Sequence, residues 1–339
     1  MQRMLWAVLG GFAITLIIGP TMIKLLRRLK VGQQVYEGAP EEHMKKQGTP
    51  TMGGLMIALV SLAAAFAARV GSPDWKSDAM LAIAAFALLN LAVGFADDFL
   101  KIRRRKNQGG LKEWQKTVPQ LIIALGFAAY CYAHPLIGSA VRLPFTANEW
   151  DMGIWYIPAM AFVIYCTLNG ANFLDGLDGL LGSTSLCDFA AFALIALLFA
   201  GTAGASDRQY MWLDVGILCA GMAGAVMGFL RYNLHPASLM MGDAGSMYIG
   251  AAFVGAAMAL RMPIWIPVAG LMMAVSLLST TVQRYYYKAT HGKRLFLNSP
   301  LHHHLEKKGM SETRIVSMYV LITLLMCLLC FLMLPAGLG

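Results

Sequence analysis

Charge is scarce in this chain: Asp, Glu, Lys and Arg make up 13% of its 339 residues, about half the share found in a soluble domain. That scarcity excludes a water-facing surface over most of the molecule. Its six cysteines, Cys131, Cys166, Cys187, Cys219, Cys327 and Cys330, all lie inside apolar runs. Cys327 and Cys330 form a C-x-x-C pair, but no second pair completes a zinc site, and no disulfide framework is implied. A phosphate-binding G-x-x-x-x-G-K-[ST] loop is missing, so any nucleotide is held in another way. Internal repeats are also missing. No basic cluster is interleaved with stacking aromatics, so the net charge of +9 is not read as a nucleic-acid footprint. The first apolar run, 4–23, is too long for a signal-peptide core and has no A-x-A site. Lys24, Arg27, Arg28 and Lys30 follow it, as expected of an uncleaved first span.

What the chain has instead is length in apolar segments. Hydrophobic residues make up 58% and the mean hydropathy is +0.59. A membrane span needs about 20 apolar residues. Ten segments qualify, at 4–23, 52–69, 79–96, 117–134, 154–171, 180–200, 211–230, 245–260, 264–283 and 315–335. The expected fold is therefore all-α: one polytopic membrane domain over 1–339 with ten transmembrane helices. Lys and Arg favour the cytoplasmic side. With the N-terminus outside, the segments 24–51, 97–116, 172–179, 231–244 and 284–314 face inward and hold 21 of the 27 basic residues. Both termini are then periplasmic.

Given that topology, the unusual carboxylates gather on the cytoplasmic side, where membrane-edge charges are costly and usually functional. Asp97 and Asp98 close the third segment in FADDFLK. Asp175 and Asp178 follow the fifth in NGANFLDGLDGL, and Asp243 opens the eighth in MMGDAGSMYIG. Adjacent carboxylates repel, and a divalent cation removes that penalty. Magnesium prefers one or two carboxylates with phosphate oxygens and water, so this set suits chemistry on a diphosphate. The glycines of the DGLDG run permit tight turns and close backbone approach to a ligand. A calcium loop is excluded, because Leu186 stands where the bidentate Glu would be.

His302, His303 and His304 lie in SPLHHHLEKKG. Ser299 is expected to cap a short helix with Pro300 at its first position and Gly309 beyond its end. On a helix, His302 and His304 point roughly 200° apart, so the three do not share one ion. Imidazoles beside phosphates suit donor or proton-transfer roles. Lys46 and Lys116 are placed to reach a phosphate. The Arg103–Arg105 run serves either as a topology determinant or as a contact to anionic lipid.

Five motifs then occur in a recognisable order: GTPTMGG at 48–54, DDFLK at 97–101, NFLDGLDGL at 172–180, MGDAGS at 241–246 and PLHHHLE at 300–306. The chain resembles the phospho-N-acetylmuramoyl-pentapeptide-transferases, within the polyprenyl-phosphate N-acetylhexosamine-1-phosphate transferases. The resemblance implies an inner-membrane homodimer using Mg2+ and acting at the cytoplasmic face. Its substrates would be UDP-N-acetylmuramoyl-pentapeptide and undecaprenyl phosphate, its products lipid I and UMP. By motif position Asp243 resembles the magnesium ligand, and Asp97 the residue that deprotonates the lipid phosphate, with Asp98 beside it. A family alternative makes one of these aspartates a covalent nucleophile. His302 resembles the catalytic-site histidine. Asn169, Asn172, Asp175, Gly176, Leu177, Asp178 and Asn233 resemble the nucleoside-side pocket, with Lys46, Lys116, His303 and His304 nearby. Three departures stand out. Leu174 replaces a frequent Thr, Met240 replaces an aromatic that stacks on uracil, and YEGAP at 36–40 replaces a stretch that often carries Arg.

Two competing readings are weaker. A transferase using UDP-N-acetylglucosamine fits GTPTMGG and the uninterrupted histidines less well. An ion-coupled secondary transporter would place its carboxylates near the midplane, often in repeated halves, and neither feature is present.

Overall fold

The computed structural model describes residues 1–29, 32, 46–70, 78–104, 109–204 and 206–335. The YEGAP stretch, Lys30 and Arg105 lie outside the described residues. All ten apolar segments are helical. In chain order the elements are α1 (Gln2–Arg28), α2 (Gly54–Arg69), α3 (Ala79–Arg104), α4 (Glu113–Ala133), β1 (Ala140–Arg142), β2 (Glu149–Asp151), α5 (Tyr156–Leu174), α6 (Leu180–Thr202), α7 (Asp207–Asn233), α8 (Gly242–Ala259), α9 (Ile266–Ala269), α10 (Leu271–Ala289), α11 (Leu301–Lys307) and α12 (Glu312–Leu332). Helices α1, α3, α5, α6, α7 and α12 are long and apolar enough to cross a membrane, and the bent pair around Gly270 makes a seventh if it counts as one span.

Two departures from a plain helical bundle stand out. β1 and β2 form a short antiparallel ladder between α4 and α5, pairing Val141 with Trp150. The segment 264–283, expected as one span, is broken. The one-turn Pro263–Trp265 helix and α9 run to Gly270, and α10 leaves at 77°. Pro263 and Pro267 contribute no backbone N–H there. At Gly270 a Cβ would press against the Ile266 carbonyl and the Phe253 ring, so the corner needs a glycine. Beyond it, α10 buries one face through Met272, Met273, Ser276, Ser279 and Gln283. Leu278, Val282 and Tyr285 stay exposed on it.

At the centre of the bundle lie α7 and α8. Nearly every residue of α8 is buried, and most are Gly or Ala. Without a hydrophobic drive between helices in lipid, small residues let backbones approach and pack. Gly54 of α2 meets Gly245 of α8 in this way, with no room for a side chain at either. Chain direction alternates so that the C-terminal ends of α3, α5 and α7 share one end of the bundle with the N-terminal ends of α4, α6, α8 and α12.

The opposite end is held by a buried ion pair. Arg69, closing α2, places Nε 2.7 Å from Asp214 Oδ1 on α7, and both side chains are almost fully enclosed. Removing one partner of such a pair costs about 3–5 kcal/mol, whereas replacing both with apolar residues is often near neutral. Asp214→Ala is expected to lower the melting temperature of the detergent-solubilised protein markedly. The double variant Arg69→Met, Asp214→Leu should recover most of that loss, and a double variant as unstable as the single one would contradict this account.

Candidate active site

Three carboxylates from two helix ends meet at the end of the bundle opposite the Arg69–Asp214 pair. On α3, Asp97 and Asp98 are buried, and on α8 Asp243 is half-buried. Oxygens of all three lie within 4.8 Å of one another. The first turn of α8 explains part of this arrangement. Gly242 adopts φ +77°, a conformation that glycine reaches without strain. A side chain there would crowd the Asp98 carboxylate. Asp98 Oδ2 accepts the Ala244 N–H at 3.0 Å, so α3 supplies the N-terminal cap that α8 lacks in its own sequence.

Two ammonium groups stand among the three carboxylates. Lys101 Nζ lies 2.7 Å from Asp97 Oδ2 and 2.9 Å from Asp243 Oδ2. Lys116, one turn into α4, lies 2.6 Å from the same Asp243 oxygen and 3.5 Å from Asp97. Asp97 Oδ1 accepts the Leu111 N–H at 2.7 Å. Asn172 Nδ2, near the end of α5, donates to Asp243 Oδ1 at 2.9 Å and to Ser246 Oγ at 3.0 Å. The other α5 amide is occupied locally, since Asn169 Nδ2 donates to the Tyr165 carbonyl.

Asp178, expected on the nucleoside side, does not join this group of three. It belongs to a second cluster. Lys46 Nζ lies 2.8 Å from Asp178 Oδ1 and 2.7 Å from Glu312 Oε1. His235 Nδ1 lies 3.4 Å from Asp178 Oδ2 and 3.2 Å from Glu312 Oε2. Glu312 Oε1 also accepts the Asp178 N–H, and Asp178 Oδ2 accepts the Ala237 N–H at 3.0 Å. Burial disfavours the Lys46 ammonium, but the Asp178 and Glu312 carboxylates outweigh it and hold the group above the usual lysine range. This cluster ties the start of GTPTMGG to the DGLDG turn, the loop after α7 and the first residue of α12.

Asp175 lies between the two clusters. It is half-buried; desolvation and the Asp243, Asp98 and Asp178 carboxylates act on it in the same direction, with Lys46 opposing. Its own carboxyl is therefore pushed well above the ordinary range. Beside it, Gly176 abuts the His302 and His303 rings, with no space for a Cβ toward His302. Leu177 is buried. Asn233 is committed to backbone, accepting from Gly179 N–H at 3.1 Å and donating to the Leu239 carbonyl at 2.9 Å. It therefore shapes the turn. Met240 is half-buried, and its carbonyl accepts the Gly53 N–H at 2.9 Å.

The three histidines do not act as one group: the His302 and His303 rings lie 4.4 Å apart edge to face, while His304 turns to other partners. His302 is fully buried, His303 pairs with Glu306 at 3.0 Å, and His304 Nδ1 accepts the Leu297 N–H at 3.0 Å. The cap expectation for their helix is corrected. Pro300 is the N-cap, in extended conformation, and α11 begins at Leu301. Ser299 does not cap it; Ser279 Oγ from α10 accepts the Leu301 N–H instead. Three residues not singled out from the sequence as site residues, Lys101, His235 and Glu312, are thus part of the site. Lys101 was signalled by its spacing of four from Asp97, and Glu312 by nothing beyond a charge at a helix start.

Comparison with known proteins decides the family. Residues 80–261 match glycosyl transferase family 4, and residues 46–57 match signature 1 of phospho-N-acetylmuramoyl-pentapeptide-transferase. The chain is 38% identical over 332 residues to the phospho-N-acetylmuramoyl-pentapeptide-transferase of Clostridium novyi (strain NT), covering 98% of this chain and 97% of that one. The chain belongs to the phospho-N-acetylmuramoyl-pentapeptide-transferase family. A Clostridium kluyveri relative of the same name is also 38% identical, covering 98% and 99%. One from Clostridium perfringens (strain SM101 / Type A) is 37% identical over 329 residues, covering 97% and 96%. Within this family, the site's five motifs come from six helices that meet at one end of the bundle.

Proposed function

We propose that the protein transfers phospho-N-acetylmuramoyl-pentapeptide from its UDP donor to undecaprenyl phosphate, giving lipid I and UMP. The observation that carries this reading is the meeting of Asp97, Asp98 and Asp243 with Lys101 and Lys116 at one end of a lipid-soluble bundle. An oxygen of the lipid phosphate attacks the sugar-bearing phosphorus. The bond from that phosphorus to the bridging oxygen breaks, and UMP leaves. Lys101 and Lys116 supply fixed positive charge where the diphosphate sits, so they meet charge as it shifts to the leaving UMP. Asp97 takes the proton of the lipid phosphate. His302, buried against Gly176, lines the wall between the two clusters.

The all-oxygen set of Asp97, Asp98 and Asp243 fits magnesium, with Asp243, the least enclosed of the three, as its first ligand. When bound, the ion would neutralise diphosphate charge and polarise the phosphorus–oxygen bond. The second cluster, with Asn233 and the DGLDG turn behind it, suits the nucleoside. Between α5, α8, α9 and α10 lies an apolar cavity of about 270 Å³, lined by Phe162, Cys166, Phe253, Met273, Leu277 and Leu278. It suits the polyprenyl tail, and Gly270 at the break is part of its lining. The ten apolar segments are read as ten membrane crossings, and the basic-residue asymmetry then makes both termini periplasmic and puts this end of the bundle in the cytoplasm, at the bacterial inner membrane. A homodimer is carried over from the family resemblance.

Membranes containing the protein are expected to release UMP from UDP-N-acetylmuramoyl-pentapeptide only when magnesium and a polyprenyl phosphate are both present. UDP-N-acetylglucosamine, assayed beside it, should give little. Equal or greater release from the second donor would transfer the assignment to the N-acetylglucosamine reaction. Release that ignores magnesium would remove the metal from it.

A further inference from the structure

Where α10 ends, the chain forms a concave basic site that the reaction described above does not use. A cavity of about 300 Å³ is lined by Gln283, Arg284, Tyr287, Lys288, Arg294 and Asn298, together with Thr280 and Ser299. Three cations face it, and among the described residues no carboxylate lines it. Its shape is built in. Gln283 is buried and wholly committed to the loop, its Oε1 accepting the Leu295 and Phe296 N–H groups at 3.1 and 2.9 Å, its Nε2 donating to the Phe296 carbonyl. Arg294 is tied back by a 3.4 Å bond to the Leu297 carbonyl.

Its position links it to the reaction centre from two sides. Arg284 Nη2 lies 3.0 Å from Glu113 on α4, one helical turn before Lys116. Ser299, which also lines the cavity, lies three residues before His302. A sugar-phosphate donor seated at Lys116 and His302 would therefore extend what hangs from its sugar toward this cavity.

We propose that this cavity binds carboxylates of the donor's peptide stem, and so selects a peptidyl sugar donor over a bare one. The proposal rests on the transferase reading above. A peptide joined to the sugar through its N-terminus ends in a free carboxylate. Five extended residues span roughly 17 Å, enough to leave the diphosphate and reach a neighbouring pocket. Guanidinium groups match carboxylates in planar, two-point contacts, and the Asn298 amide and Tyr287 hydroxyl add uncharged donors. Anionic lipid headgroups would be drawn to the same charges, but the pocket adjoins the active site: its Arg284 pairs with Glu113 of α4, and its Ser299 leads into the histidine segment.

The test compares UDP-N-acetylmuramoyl-pentapeptide with peptide-free UDP-N-acetylmuramate on wild-type protein and on the double variant Lys288→Gln, Arg294→Gln. Both proteins are reconstituted in vesicles of phosphatidylethanolamine alone or with one-fifth phosphatidylglycerol. The ratio of kcat/KM for the two donors is expected to fall about tenfold or more in the variant, through KM, in both vesicle types. Added salt should weaken the wild-type preference, because exposed charge contacts are screened. A ratio within twofold of wild type would overturn the proposal. So would an equal loss with both donors that appears only with phosphatidylglycerol, which would assign the pocket to lipid. Wild-type protein that releases no UMP from the peptidyl donor overturns the transferase reading, and this proposal with it.

Discussion

Asp243→Asn is expected to reduce turnover by about a hundredfold to a thousandfold, the range for removing one fixed charge partner at a reacting centre, while the protein stays folded. The expectation follows from how many groups depend on that one carboxylate. Its Oδ2 is shared by Lys101 and Lys116, at 2.9 and 2.6 Å, and its Oδ1 holds the Asn172 amide. An amide of the same size keeps the α8 turn, because the Ala244 N–H is capped by Asp98 and not by Asp243. What it removes is the charge that orients both lysines and completes the oxygen set for magnesium. Rate, magnesium dependence and melting temperature would be measured on the same purified protein. Turnover within tenfold of wild type would remove Asp243 from the reaction. A collapse in melting temperature would reassign it to structure.

Part of this site was legible in the sequence, and the reason is local. Asp97 and Asp98 are neighbours in the chain, Lys101 follows at helical spacing, and Asp243 stands at the start of an apolar run where a charge is conspicuous. The division of labour within DGLDG was not legible, because its two aspartates look equivalent in the sequence. The turn separates them, leaving Asp175 toward Asp243 while Asp178 turns to Lys46 and Glu312. The break at Gly270 was hidden by continuous hydropathy. Its proline and glycine signals were present, yet an apolar count does not register a 77° corner. Ser299 had the right chemistry for a cap. The extended Pro300 carried the chain past it, and Ser279, twenty-two residues before Leu301, took the role. For Asp178 and for the cap, the deciding partner lay elsewhere in the chain.

Glu312 is the extreme case. A Ser-Glu pair ahead of an apolar run reads as an ordinary helix start with an acidic first turn, and its partner Lys46 is 266 residues away. In the fold it is buried, with one oxygen serving Lys46 and the Asp178 N–H and the other facing His235. Glu312→Ala is therefore expected to have two effects. Stability should fall by about 3 kcal/mol or more, because a buried ammonium loses one of two partners, read as a lower melting temperature. KM for the nucleotide donor should rise about tenfold, because Lys46 and the DGLDG turn lose the group that fixes them to α12, while KM for the polyprenyl phosphate changes little. Glu312→Gln separates the two effects. Its amide oxygen can still accept from Lys46 and from the Asp178 N–H, so most of the stability should return. Lys46 then has only Asp178 to balance it, so a raised donor KM should remain. If both kinetic constants move together in both variants, Glu312 holds the bundle and not the nucleotide end of the site.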